Sequence, residues 1–228
     1  MTATPQHCAP GATTPGTVPR GESTPAWRLL VTLAIAGALS GWLVVSVYKV
    51  TLPAVQRHAA GQMRAAVREV LKAPARWDTL YLVNGALTRA APAGSDPAEV
   101  PKAFIGYDGS GKRLGVAVTA AEPGFQELLT LMIGFDPATG SLLGFKVLDQ
   151  KETPGLGDRI ERDSAFGRQF AGRITPLVGV KTRAGSSPSE VQTITGATIS
   201  SRAVIRIIND GVARWRPLID AWDRGGQK

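Results

Sequence analysis

AFIGYDGSGKRLGVAVTA, residues 103–120, reads as two strands joined by a tight turn. AFIGY (103–107) and RLGVAVTA (113–120) are rich in β-branched and aromatic residues. Asp108-Gly109-Ser110-Gly111 between them is turn chemistry. The pattern recurs at once in LLTLMIGFD (128–136), Pro137-Ala138-Thr139-Gly140 and SLLGFKVLDQ (141–150). Two successive hairpins predict an antiparallel sheet. A further strand is expected over Glu190–Ile194. Helical periodicity lies outside the hairpins. Val55, Met63, Val67, Val70 and Leu71 form an apolar stripe over 54–72, closed by Pro74. Residues 158–170 put Ile160, Phe166 and Phe170 inward. A last helix runs from about Ser200 to Trp215, with Val204, Ile207, Ile208 and Val212 as its stripe and Pro217 beyond its end. The fold class is therefore α+β, with antiparallel hairpins and flanking helices. No GxGxxG follows a strand and no βαβ run is present, which argues against a Rossmann dinucleotide site.

Upstream, Leu29 to Tyr48 (LLVTLAIAGALSGWLVVSVY) contains no charge and is bounded by Arg28 and Lys49. Twenty helical residues cover roughly 30 Å, the thickness of a bilayer's hydrocarbon core. Trp27, Trp42 and Tyr48 suit the headgroup boundary. The run is longer than a signal-peptide core, and VVSVYKV is a poor cleavage site. The expected organisation is a disordered tail over 1–26, a transmembrane helix over 27–48 and a membrane-proximal helical segment over 49–84. One α+β domain over 85–216 and a C-terminal tail over 217–228 complete it. Residues 85–101 read as a loop.

The chain has 228 residues, of which 43% are apolar and 19% charged, with a formal charge of +8. That composition supports a packed core. Cys8 is the single cysteine, and His7 and His58 are the two histidines. An intrachain disulfide, an all-cysteine Fe–S cluster, a CxxCH haem site and a Cys/His zinc cage all need more ligands than that. Neither a metal site nor a catalytic residue is assigned, and redox chemistry would require an organic cofactor. The basic residues of the domain are dispersed, without the concentrated stripe of a nucleic-acid binder.

Two glycine-bearing stretches carry the chemistry. Glu152-Thr153-Pro154-Gly155-Leu156-Gly157 follows the second hairpin as a tight loop. Thr195-Gly196-Ala197-Thr198 sits between a strand and the last helix. The residues alone admit two readings of the second stretch. Thr198 or Ser200 caps the helix, or the first helical amides hold a phosphate, with Gly196 and Ala197 allowing close approach.

ETPGLG and TGAT behind one N-terminal span resemble the G subunit of the Rnf electron-transport complex. The C subunit of the sodium-translocating NADH:quinone reductase is similar in plan, and both belong to the FMN-binding domain family. The resemblance covers most of residues 25–215 and implies covalent FMN, joined to Thr198 by a phosphoester that a flavin transferase installs from FAD. It implies that Thr195, Gly196 and Ala197 surround the attachment point. It also implies that Glu152, Thr153, Gly155, Leu156 and Gly157 reach the isoalloxazine or ribityl groups, the two glycines through their amides. By the same resemblance the chain is an electron-carrier subunit of an ion-translocating complex, relaying electrons between ferredoxin and NAD branches. Its expected partners are the other Rnf-type subunits, the transferase and the membrane. Its place is the inner membrane, single-pass, with the flavin domain in the periplasm. The quinone-reductase subunit and a non-redox anchored domain are the alternatives. One departure stands in the attachment motif, where Gln192 occupies a position often acidic in the family. The basic residues Lys49, Arg57, Arg64, Arg68 and Lys72 after the span favour the opposite orientation by the positive-inside rule. That rule weighs short loops, and long domains cross largely regardless of charge.

Overall fold

In a computed structural model, described over residues 25–92, 94, 100–182, 185 and 187–225, a helix leads into a sheet that carries helices on both faces. The tail expected over 1–26, with His7 and Cys8, lies almost wholly outside the described residues. The elements run α1 (Ala26–Val70), β1 (Arg76–Val83), β2 (Ala86–Thr88), β3 (Lys102–Tyr107), β4 (Arg113–Pro123), β5 (Leu128–Phe135), β6 (Leu142–Asp149), α2 (Arg159–Arg162), α3 (Ser164–Arg168), β7 (Val178–Val180), β8 (Glu190–Gln192) and α4 (Thr198–Gly225). The chain divides into two units, 1–54 and 55–228.

In the first unit, α1 supplies one helix long and apolar enough to cross a membrane. Its large apolar side chains from Trp27 to Val50, Leu30, Leu33 and Trp42 among them, are exposed. A helix apolar all round finds its partner in lipid rather than in a core. Two of its hydroxyls return to its own backbone, Thr32 Oγ1 donating to the Leu29 carbonyl at 3.0 Å and Thr51 Oγ1 to Val47 at 2.8 Å. In a bilayer core such internal satisfaction is required.

In the second unit, six strands pair antiparallel in the order β2-β1-β3-β4-β5-β6. Alternation along each strand sends one set of side chains to each face. Leu80, Ile105, Val116, Val118, Ile133 and Phe135 meet α4, whose Val204, Ile207, Ile208, Val212, Trp215 and Ile219 are buried with them. The opposite face, with Phe104, Ala117 and Met132, is covered by Ala66, Val67, Val70 and Leu71 from the end of α1. Glycines let that segment lie close. A Cβ on Gly106 would stand 2.8 Å from Leu71 Cδ1, and one on Gly134 would collide with Val70 Cγ1. The β3–β4 turn is held by Asp108, whose Oδ1 accepts from Ser110 N at 2.8 Å, Ser110 Oγ at 2.6 Å and Lys112 N at 2.9 Å. The Ser110 hydroxyl above all holds that carboxyl below its ordinary range.

Four expectations change. The helical segment expected over 49–84 ends at Val70, and Arg76–Val83 is strand β1, antiparallel to β3. Lys72 and Ala73, both at φ 57, turn the chain off the helix. Within the loop expected over 85–101, Ala86–Thr88 forms a short edge strand. The tail expected from 217 is helix as far as Gly225, with Pro217 inside it. Local chemistry favoured a stop there. Burial of Ile219 and packing of Leu218 and Trp222 on the core carry the helix onward. The helix expected over 158–170 is two short ones. They divide at Asp163, whose Oδ1 accepts from Ala165 N and Phe166 N and caps the second.

Candidate functional site

The loop between β6 and α2 folds around one carbonyl. Thr153 O accepts from Leu156 N at 3.2 Å, Gly157 N at 2.9 Å and Asp158 N at 3.3 Å. Gly155, at φ 78, supplies the left-handed residue this curl needs. The curl leaves Leu156 50% exposed. Across from it, β8 runs into Thr195-Gly196, where Gly196 at φ 88 turns the chain into α4. A Cβ on Gly196 would stand 3.5 Å from Leu156 Cδ2, so the two stretches meet at that point.

Between them lies a cavity of ≈ 370 Å³ walled by Phe125, Thr153, Leu156, Gly157, Gly196, Ala197, Thr198, Ile199 and Ser200. Thr198 is the first residue of α4. The amides of its first turn have no partner within the helix by geometry, and they carry the partial positive end of the dipole. Ser200 and Ser201 do not cap it. Ser201 Oγ accepts from Ile194 N at 3.1 Å, and Ser200 Oγ donates to Glu152 Oε2 at 2.6 Å.

Glu152 is only 5% exposed and does not itself line the cavity; its carboxylate meets the wall residues from behind. Its Oε1 accepts from Phe125 N at 2.7 Å and Gln126 N at 3.4 Å. A Cβ on Gly157 would stand 2.9 Å from Oε2, and one on Gly124 would collide with Oε1. This carboxylate therefore gathers three segments: the β4–β5 turn, its own loop and the first turn of α4. Arg206 secures the turn from α4, donating to Glu122 Oε2 at 2.8 Å and to the Pro123 carbonyl. Lys151 pairs with Glu127 at 2.7 Å, and that bond raises the lysine above its ordinary range. Arg159 Nη1 donates to the Thr195 carbonyl at 3.3 Å.

Of the residues singled out in the sequence, Thr153, Leu156, Gly157, Gly196, Ala197 and Thr198 converge on one cavity. Glu152 is buried behind its wall, whereas Gly155 and Thr195 are exposed and do not line it. The Gly157 amide, expected as a donor to a ligand, is taken by the Thr153 carbonyl. Gln192 lies at the end of β8, its backbone bracketed by the Gln169 side chain. Phe125, 58% exposed at the rim, was not singled out. Its signal is an aromatic residue placed in a Pro-Gly turn.

The cavity's chemistry fits a flavin mononucleotide. Phe125, Leu156 and Ile199 present apolar surface for a planar ring, and the start of α4 presents amides for a phosphate. The FMN-binding domain family profile matches residues 124–213, the span that contains both stretches. Fold and site thus define an FMN-binding domain carried behind one apolar helix. The G subunit of the ion-translocating oxidoreductase complex of Photorhabdus laumondii is 31% identical, covering 78% of this chain and 84% of that one. The G subunit of the proton-translocating ferredoxin:NAD(+) oxidoreductase complex of Clostridium ljungdahlii is 27% identical over 79% and 86%. The crystal structure of Shewanella oneidensis NqrC shares the fold, with a TM-score of 0.54 at 18% identity over 69% of this chain and 88% of that one. The chain belongs to the family of G subunits of ion-translocating oxidoreductase complexes.

Proposed function

We propose that Thr198 carries FMN as a phosphoester and that the chain relays electrons between the ferredoxin and NAD branches of its complex. The observation that carries this reading is the meeting of both stretches at one cavity, with the Thr198 residue in its wall. The attachment balances as an exchange. The Thr198 hydroxyl loses its proton and its oxygen bonds the flavin-side phosphorus of FAD. The pyrophosphate bond breaks and AMP leaves, so a flavin transferase is the implied partner. The phosphodiester left behind keeps one negative charge, which suits the amides at the start of α4. FMN supplies the electron chemistry. The chain's part is placement: Phe125, Leu156 and Ile199 shield the ring, and Glu152 holds the walls together. The name of the Clostridium ljungdahlii relative supports a ferredoxin–NAD assembly over a quinone reductase.

Two measurements test the proposal. Co-expressed with the transferase, the chain should run as a fluorescent band under ultraviolet light on a denaturing gel. Its intact mass should rise by FMN less one water. Thr198→Ala should abolish both, and a variant that stays fluorescent would refute the residue. Periplasmic placement in the inner membrane is the second part of the reading. An alkaline phosphatase fusion after Lys228 should be active, and an inactive, stably expressed fusion overturns that orientation.

A further inference from the structure

A second cavity lies away from the flavin site, on the opposite face of the sheet. It measures ≈ 590 Å³ and lies between the 56–64 segment of α1 and strands β1 and β3. Met63, Trp77, Tyr81 and Phe104 form its apolar wall, and Arg64 stands at its edge. Among the described residues, no acidic side chain lines it.

Two features of the chain say what this groove meets. Between Tyr48 and Arg68 there is no aspartate or glutamate, while Lys49, Arg57, Arg64 and Arg68 are all basic. Arg57, Arg64 and Arg68 fall on one side of the helix by its 3.6-residue period. Gln56, Ala59, Ala60 and Met63 form the adjacent stripe, the one facing the groove. The nearest acid, Glu69, is already paired with Lys146 at 3.1 Å. A basic stripe beside an apolar one matches a molecule with an anionic head and a hydrocarbon tail. The second feature is reach. Gln56 follows Tyr48 by eight residues, which extend at most about 28 Å in any conformation. The groove is therefore tethered close to the headgroups wherever residues 29–48 span a bilayer.

We propose that this groove seats one anionic phospholipid. Its acyl chain lies against Met63, Trp77 and Phe104, and its phosphate lies toward Arg64. The site anchors the membrane-proximal side of the domain and is independent of FMN binding.

Trp77 provides the readout. The full-length chain carrying Trp27→Phe and Trp42→Phe retains Trp77, Trp215 and Trp222. It is placed in nanodiscs of phosphatidylcholine with or without phosphatidylglycerol, with one lipid brominated on its acyl chains at a time. Brominated phosphatidylglycerol should quench a component of the fluorescence that disappears in Trp77→Phe. Brominated phosphatidylcholine should quench that component much less. Arg64→Gln should weaken the phosphatidylglycerol effect about fivefold, the scale of one basic side chain near an anionic surface. Ala60→Trp, which fills the groove, should prevent lipid entry, read as loss of the phosphatidylglycerol adduct in native mass spectrometry. Equal quenching by both lipids would mean contact with bulk hydrocarbon and overturns the site. An unquenched Trp77 overturns it too, and leaves the groove for a protein partner. The wild-type groove is probed in the quenching measurement, so a poorly folding Ala60→Trp cannot decide the result.

Discussion

Glu152→Ala should cost about 3 kcal/mol of domain stability and most of the flavin yield, though it removes no atom from the cavity wall. The side chain accepts two short hydrogen bonds, from Phe125 N at 2.7 Å and Ser200 Oγ at 2.6 Å. Bonds to a charged group are worth roughly 1.5–3 kcal/mol each. Part is recovered, because the Phe125 amide is only partly buried and water can replace its partner. The Ser200 hydroxyl is buried and stays without an acceptor. The functional effect follows from what the carboxylate joins. Phe125, Gly157 and Ser200 lie on three segments, all of which wall the cavity. Released from one another, they leave Thr198 without a formed site. Hydrogen exchange should show the Phe125 and Gln126 amides opening before the sheet does. Glu152→Gln keeps the Oε1 acceptor and the shape, and its amide can donate to the Ser200 hydroxyl, so it should restore most of both losses. A Glu152→Ala protein with wild-type melting and full flavin content would remove the residue from this role.

The same residue shows where sequence reading stops. ETPGLG was legible as a loop because proline and glycine forbid a helix there. TGAT was legible as a helix start because small and hydroxylated residues crowd a strand-to-helix turn. Residue type does not give direction, and Glu152 points into the protein rather than toward a ligand. Its partners lie 27 residues upstream and 48 downstream. Phe125 was hidden for a related reason: its Pro-Gly turn marks an aromatic in a loop without saying whether the ring packs or stays at a rim. The two hairpins were readable because their turns are local. Strand β1 was not, because both faces of the sheet are covered. Trp77 and Tyr81 face one side and Leu80 the other, so the polar–apolar alternation of a half-buried strand is absent. The extension of α4 past Pro217 is likewise tertiary. Ile219 and Trp222 bind that turn to the core more strongly than one lost amide weakens it.

Trp215→Ala should be the most destabilising single change in α4 and yet leave the flavin chemistry of the folded molecules intact. Trp215 is 2% exposed and is the largest of the fully buried side chains. Removing such a side chain costs about 3–5 kcal/mol, because the surroundings close only partly over the cavity. Closure is hindered here by how near α4 already lies to the sheet. A Cβ on Gly211 would stand 2.8 Å from Ile133 Cδ1 and 3.2 Å from Ala120 Cβ. For a domain of this size the melting temperature should fall by roughly 6–20 °C. Thr198 lies about 26 Å up the helix axis from Trp215, and its turn is held separately by Ser200–Glu152 and Ser201–Ile194. Flavin content per folded molecule, measured below the transition, should therefore match wild type. Glu152→Ala should show the reverse pattern, a smaller loss of stability with a larger loss of flavin. If Trp215→Ala sheds flavin in proportion to Glu152→Ala at matched folded fraction, the helix moves as one rigid lever, and the cavity has no local latch of its own.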